Sequence, residues 1–218
     1  IENQTKNSAT FKDQTLPTVT INPSNSSNNV LRNSNITISF SEQIRKIDNN
    51  EINDRNVDSL IVLKLQNSTG NLLGFDASIS TNKKVITVDP LVDFNYSATI
   101  YLSIEGFEDF GGNTLPSNPS TVFNVIANVK PVANSQDITL NEDSNISIKL
   151  NGQDSEDTPL SYAFSLPSFG ELTGDAPDII YTPRANFFGS DTFKFVVNDG
   201  FDDSDSSLIK INVQPIND

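Results

Sequence analysis

Apolar residues along this chain come in short bursts that alternate with polar ones. In ITISF (36–40), Ile36, Ile38 and Phe40 fall on one face of an extended chain and Thr37 and Ser39 on the other. TVTI (18–21), SLIVLKL (59–65), Phe75–Ser80, Lys84–Asp89, Tyr96–Ile104 and Thr121–Ile126 carry the same logic, with turn-forming runs such as NSTGN (67–71) between them. Residues 42–58 are more polar, with Ile44, Ile47, Ile52 and Val57 scattered through them, and predict a short helix or an irregular crossing. After ANVKPVAN (127–134) the pattern resumes in Asp137–Leu140, Asn145–Leu150, Leu160–Ser165, Glu171–Thr173, Asp178–Thr182, Thr192–Val197 and Ser207–Val213. About seven short strands per half, with turns roughly every 8–12 residues, predict an all-β chain of two consecutive sandwiches. Residues 1–16 lack periodicity and read as a linker or the tail of a preceding domain; 17–128 and 129–218 are the two domains. The proline-marked connector is extended and short, so the sandwiches are expected to stack with limited swing.

Composition narrows the chemistry. Cysteine, histidine, methionine and tryptophan are absent from the 218 residues. That removes disulfides, thiolate or imidazole metal sites, and serine–histidine or cysteine–histidine catalysis. No run approaches the roughly 18 apolar residues of a membrane span. IENQTKNSATFKDQ has neither a basic region nor an apolar core, so it is not a signal peptide, and a chain starting at Ile1 is expected to be a fragment or mature form. The net charge is −14, distributed as 13 acidic against 9 basic residues up to Asn128 and 15 against 5 thereafter. Such a surface repels nucleic acid and anionic lipid, which leaves solvated acidity or binding of a divalent cation by hard oxygen ligands. The densest cluster is NGQDSEDTPLSY (151–162), where Asp154, Glu156 and Asp157 share one turn. The bland account is that Asp and Asn form turns by bonding their own backbone.

Two resemblances sharpen this picture. Phe40–Ser41–Glu42, Pro90–Leu91 followed by Tyr96, and Asp109–Phe110–Gly111–Gly112–Asn113 occur in an order and spacing that resemble the bacterial Ig-like domain of S-layer proteins and adhesins, over roughly Pro17–Ile126. Tyr96 sits where a tyrosine corner would lie. LNEDSNISIKL, the run Tyr181–Phe193 (YTPRANFFGSDTF) and the closing PIND resemble the cadherin-like domains repeated in bacterial surface adhesins, over about Lys130–Asp218. The expected fold is therefore a pair of immunoglobulin-like/cadherin-like Greek-key sandwiches. The expected role is a non-catalytic spacer or adhesive segment of a secreted or surface-anchored bacterial protein. Its partners would be neighbouring domains of the same chain and a host or biofilm glycan or protein, with no nucleic acid, no membrane insertion and a monomeric state. A glycan- or protein-binding module, with 42–58 as its binding segment, and an accessory region of an extracellular polysaccharide-degrading enzyme remain the alternatives.

The cadherin-like resemblance implies calcium. It places Asp154, Glu156, Asp157 and Asp199 at the end of the second domain that faces the first, and Glu142, Asp191 and Asp218 at the other end. An EF-hand starting at Asp203 is excluded, since Leu208 and Gln214 stand where glycine and glutamate are needed. The chain departs from the family at the linker, where the usual Asn-Asp is Asn128–Val129, followed by Lys130. One ligand aspartate is lost and a cation is added. Asp202, Asp203 and Asp205 read as solvated charge.

Overall fold

The computed structural model describes residues 13–156 and 158–216. The chain divides into two compact units, Ile1–Ala127 and Asn128–Asp218.

The first unit is a β-sandwich. Strands β1 (Val19–Asn22), β2 (Ile36–Phe40), β5 (Phe75–Ile79) and β6 (Val85–Pro90) form one sheet in the order β1-β2-β6-β5. The facing sheet is β4 (Ile61–Leu65), β7 (Thr99–Ile104) and β9 (Ser120–Asn124), in the order β4-β7-β9. The chain crosses between the sheets after β2 and again around β5 and β6, as a Greek key requires. Alternation decides what is buried: Ile36, Ile38, Ile86 and Val88 from one sheet meet Leu63, Ile100, Leu102 and Phe123 from the other.

Residues 42–58 are part of this framework. Ile44–Lys46 is a short strand, β3, paired with β8 (Phe107–Asp109), and directly opposed Arg45 and Glu108 make an ion pair of 2.9 Å. Ile52 is buried, and a 3-10 turn over Val57–Leu60 buries Val57 and Leu60. Asp58 and Asp54 then accept hydrogen bonds from the Ala77 and Ile79 N–H groups, each at 2.9 Å. Those donors lie on β5, the sheet's edge strand, so the polar segment covers an edge that would otherwise present unpaired backbone. The long polar stretch is explained by that work, and the short helix expected there is one 3-10 turn. Tyr96 precedes β7 rather than opening it; its ring is half-buried with the Arg32 guanidinium 4.5 Å from the centroid.

The second unit repeats the architecture. The larger sheet has the order β11-β18-β17-β14, made of β11 (Gln136–Asn141), β14 (Ser161–Phe164), β17 (Gly189–Asn198) and β18 (Ser207–Gln214). β11 runs parallel to β18, from Gln136 opposite Ile209 to Asn141 opposite Gln214. Opposite lie β12 (Ile146–Lys149), β15 (Gly170–Asp175) and β16 (Asp178–Pro183), ordered β12-β16-β15. Tyr181, Phe193, Phe195, Ile209 and Ile211 fill the interior. A small pair, β10 (Val132–Asn134) with β13 (Asn151–Gln153), lies outside both sheets. Asn151–Gln153 is therefore strand, and the acidic turn begins only at Asp154.

Candidate metal centre

β13 delivers the acidic loop. Gly152 allows this approach, because a Cβ there would lie 2.8 Å from Val197 Cγ1 and 3.1 Å from Leu160. The loop is wound around Asp154, whose Oδ2 accepts the Glu156 N–H (3.1 Å), the Thr158 N–H (3.0 Å) and the Thr158 hydroxyl (2.7 Å). Glu156 accepts the Ser155 hydroxyl on Oε1 and the Val129 N–H on Oε2.

β17 delivers the second wall. Asp199, just past its end, is 5 % exposed. Its Oδ1 accepts the Phe201 and Asp202 N–H groups, each at 2.7 Å. Its Oδ2 accepts Asn128 Nδ2 at 2.9 Å, and the same Nδ2 reaches Asp202 Oδ2 at 3.0 Å. Burial alone would raise the Asp199 pKa, but the Asp202 N–H, the Asn128 amide and the Phe201 N–H together hold it below its ordinary value.

The segment Asn128–Lys130 is thus fastened to carboxylates at three successive residues. Lys130, read from sequence as a cation opposing the site, makes a 2.6 Å ion pair with Asp205 instead. Asp202, read as solvated charge, belongs to the Asn128 cluster. Two buried oxygens here have no hydrogen-bond partner: Asn128 Oδ1 and Asp154 Oδ1. An unmet buried acceptor costs roughly 1–3 kcal/mol. Both are hard oxygen donors at the edge of a carboxylate cluster, the chemistry a divalent cation such as calcium takes. Asp154, Glu156 and Asp199 are linked through Asn128, Val129 and backbone groups without converging on one point: their oxygens do not all come within 4.8 Å of one another.

The other predicted set is placed differently. Asp191 lies near the start of β17, about 26 Å from Asp199 at the usual strand rise. It is buried, and both oxygens are occupied: Oδ1 by the Ser168 and Thr192 N–H groups, Oδ2 by the Phe169 N–H and the Tyr181 hydroxyl. Glu142 is buried and accepts the Ile216 N–H at 2.8 Å. Asp157 and Asp218 lie outside the described residues.

The first unit holds a carboxylate trio whose members lie far apart in the sequence. Asp13, Glu42 and Asp109 are the one trio among the described residues whose oxygens all lie within 4.8 Å. Asn113 joins two of them, Asp13 and Asp109. Its Nδ2 bonds Asp109 Oδ2 (2.8 Å) and the carbonyls of Asp13 (3.1 Å) and Thr15 (3.2 Å), while its N–H bonds Asp109 Oδ1 (2.7 Å). The Asp-x-x-Gly-Asn loop thereby straps residues 13–15 onto the domain. Glu42 is raised in pKa by desolvation and by the charges of Asp109 and Asp13. The markers Phe40–Ser41–Glu42 and Asp109–Asn113 were visible in sequence; that they share a neighbourhood with Asp13 was not, because 29 and 67 positions separate the three in turn.

A family model described as "Bacterial Ig-like domain" matches residues 13–125, and another, "Bacterial Ig domain", matches residues 128–212. The chain is a tandem of bacterial Ig-like domains. No curated protein matches it. Among solved structures, domains 1–6 of the surface layer protein SbsC align over 92 % of this tandem and 26 % of that chain, at 12 % identity and TM-score 0.37. Human mucin-like protocadherin EC1-2 aligns over 91 % and 99 %, at 16 % identity and TM-score 0.35. The fibronectin(III)-like modules of Clostridium thermocellum CbhA align over 91 % and 95 %, at 16 % identity and TM-score 0.31. The bacterial Ig-like tandem thus spans about a quarter of the length of that six-domain SbsC structure. No helix among the described residues is long and apolar enough to cross a membrane.

Proposed function

We propose that the tandem is a non-catalytic structural segment of an extracellular or cell-surface protein, and that calcium stiffens its second domain. Membership of the bacterial Ig-like family supports the structural and extracellular parts of this reading. Calcium rests on one observation: Asn128 Oδ1 and Asp154 Oδ1 are buried and unmet beside Glu156, Asp199 and Asp202. The residues that would hold the ion are Asp154, Glu156 and Asp199, with Asn128 and Asp202, which are hydrogen-bonded to one another beside them. Bound calcium would supply positive charge to a group of like-charged carboxylates and satisfy the two orphaned oxygens. Without it, these carboxylates are held by neutral donors: the Asn128 amide, the Val129 N–H, and the N–H and hydroxyl groups of their own turns.

The chain's own residues do the rest. Asp154 winds the loop, Asp199 closes the turn after β17, and the start of the domain is tied to the turn by the Asn128 amide and to the loop by the Val129 N–H on Glu156. A ligand that binds only the folded state stabilises it by about 2.7 kcal/mol at 100 times its Kd. Calcium added to chelator-treated protein is therefore expected to raise the melting temperature of the second domain, and Asp154→Asn to abolish the rise. An unchanged melting temperature at millimolar calcium would overturn the calcium part of the reading and leave the structural part standing.

A further inference from the structure

Between the turn that follows β4 and the turn that precedes β7 lies an open groove of about 560 Å³. Its size falls within the roughly 300–1,000 Å³ of small-ligand clefts, but its lining does not resemble the usual apolar one. One wall carries Gln66, Asn67 and Asn71, and the other Asn95, Tyr96 and Thr99. No charged residue lines it, in a chain of net charge −14.

Both walls are built rigidly. Gln66 and Ser97 hold left-handed backbone conformations, with φ of 66° and 57°, a strained choice for residues other than glycine. The Gln66 N–H donates to the Thr99 carbonyl at 2.8 Å and ties one wall to the other. Leu65 donates to the Asn71 carbonyl at 2.9 Å, and a Cβ on Gly70 would fall 1.6 Å from the Leu65 oxygen, so the first turn is fixed. The Arg32 guanidinium over the Tyr96 ring, with its Nε bonded to the Phe94 carbonyl, fixes the second. Asn67 Oδ1 is occupied by the Thr69 N–H and hydroxyl. Among the described residues, the Gln66, Asn71 and Asn95 amides are engaged by no protein group.

We propose that this groove binds a neutral oligosaccharide. Each free amide offers a donor and an acceptor side by side, which matches the hydroxyl pairs of a sugar ring. The uncharged lining gives no partner to a carboxylate, sulfate or ammonium group. Preorganised walls reduce the ordering cost that weakens binding in a mobile loop.

The test is calorimetry of the full chain, in EDTA so that the cation cluster plays no part. Neutral glucose-, mannose- and galactose-based oligosaccharides are titrated beside uronate- and sulfate-bearing ones. The expected result is binding of a neutral class at millimolar strength or better. Asn71→Ala combined with Asn95→Ala is expected to weaken it at least about tenfold, or 1.4 kcal/mol. These side chains have no role in the fold, so the melting temperature should not move. The proposal is overturned if no neutral oligosaccharide binds at about 10 mM, if only acidic ones bind, or if the double variant binds as well as the parent.

Discussion

The Tyr181 hydroxyl donates to Asp191 Oδ2 at 2.9 Å, with both residues buried in the second domain. Burial, reinforced by the hydrogen bond and charge of Asp191, pushes the phenol well above its usual range, so the bond joins a neutral donor to a carboxylate. Gly170 is required beside them, because a Cβ there would sit 2.3 Å from the Tyr181 ring. The distinctive Tyr181–Phe193 run is in this respect a packing device: its tyrosine and its aspartate meet, and the aspartate also anchors the 168–169 turn.

Removing either partner is therefore expected to destabilise the second domain unequally. Tyr181→Phe deletes one charged hydrogen bond at a cost of about 1.5–3 kcal/mol. Asp191→Ala strands the buried hydroxyl and the three N–H groups whose part-buried bonds it accepts, and is expected to cost more than about 3 kcal/mol. Urea unfolding of the full chain, followed at the second domain's transition, measures both. Equal costs would mean that Asp191 acts through Tyr181 alone.

The edge of the first domain makes a second prediction. Asp58→Ala and Asp54→Ala each leave a β5 N–H without its acceptor. The Ala77 donor is the more buried of the two, so Asp58→Ala is expected to cost about 1 kcal/mol and Asp54→Ala less. Urea unfolding of the first domain checks the order, and light scattering of the double variant should report more self-association as the edge opens.

What was legible in the sequence follows from range. Alternation over five or six positions is local, so ITISF and its counterparts announced both sheets and their buried faces. β3 and β8 were not anticipated, because three-residue strands carry too little periodicity and their pairing joins Ile44 to Asp109. Charge identity was legible and charge partnership was not. Nothing near Lys130 in the sequence points to Asp205, 75 residues away, and nothing near Asp202 points to Asn128.

Glu42 gives a pH prediction. Desolvation, followed by the charges of Asp109 and Asp13, raises its folded-state pKa above the ordinary 4.5. A carboxyl so raised opposes folding when ionised, and the penalty fades as pH falls through the folded pKa. Glu42→Gln is thus expected to raise the melting temperature at pH 7, with the advantage shrinking toward pH 4. A variant less stable than the parent at pH 7 would show that Glu42 carries a favourable contact outweighing the repulsion.

Asp199 runs the other way. Its folded pKa is lowered, so its contribution is fully present above the ordinary 3.8 and is lost as pH falls through the folded value. Asn128 supplies one of the hydrogen bonds that oppose the cost of burial. Asn128→Ala, titrated with acid in EDTA and followed by circular dichroism, should therefore unfold its second domain at higher pH than the parent. An unchanged acid midpoint would assign the depression to the Asp202 and Phe201 N–H groups alone.

The linker supplies the last prediction. Where the cadherin-like resemblance implies Asn-Asp, this chain has Asn128–Val129. Val129 is 51 % exposed, and its backbone N–H, not its side chain, bonds Glu156. Val129→Asp is therefore tolerated by the packing and adds a carboxylate beside Glu156. Without calcium the added charge repels its neighbours and should lower the second domain's melting temperature. With calcium the same carboxylate is a ligand, and the midpoint of the calcium titration should fall by about tenfold, or 1.4 kcal/mol. The two effects have opposite signs on one variant, which separates a ligand from a general stabiliser. A Val129→Asp protein whose calcium midpoint matches the parent would place the ion, if it binds, away from the Asn128–Glu156 side of the cluster.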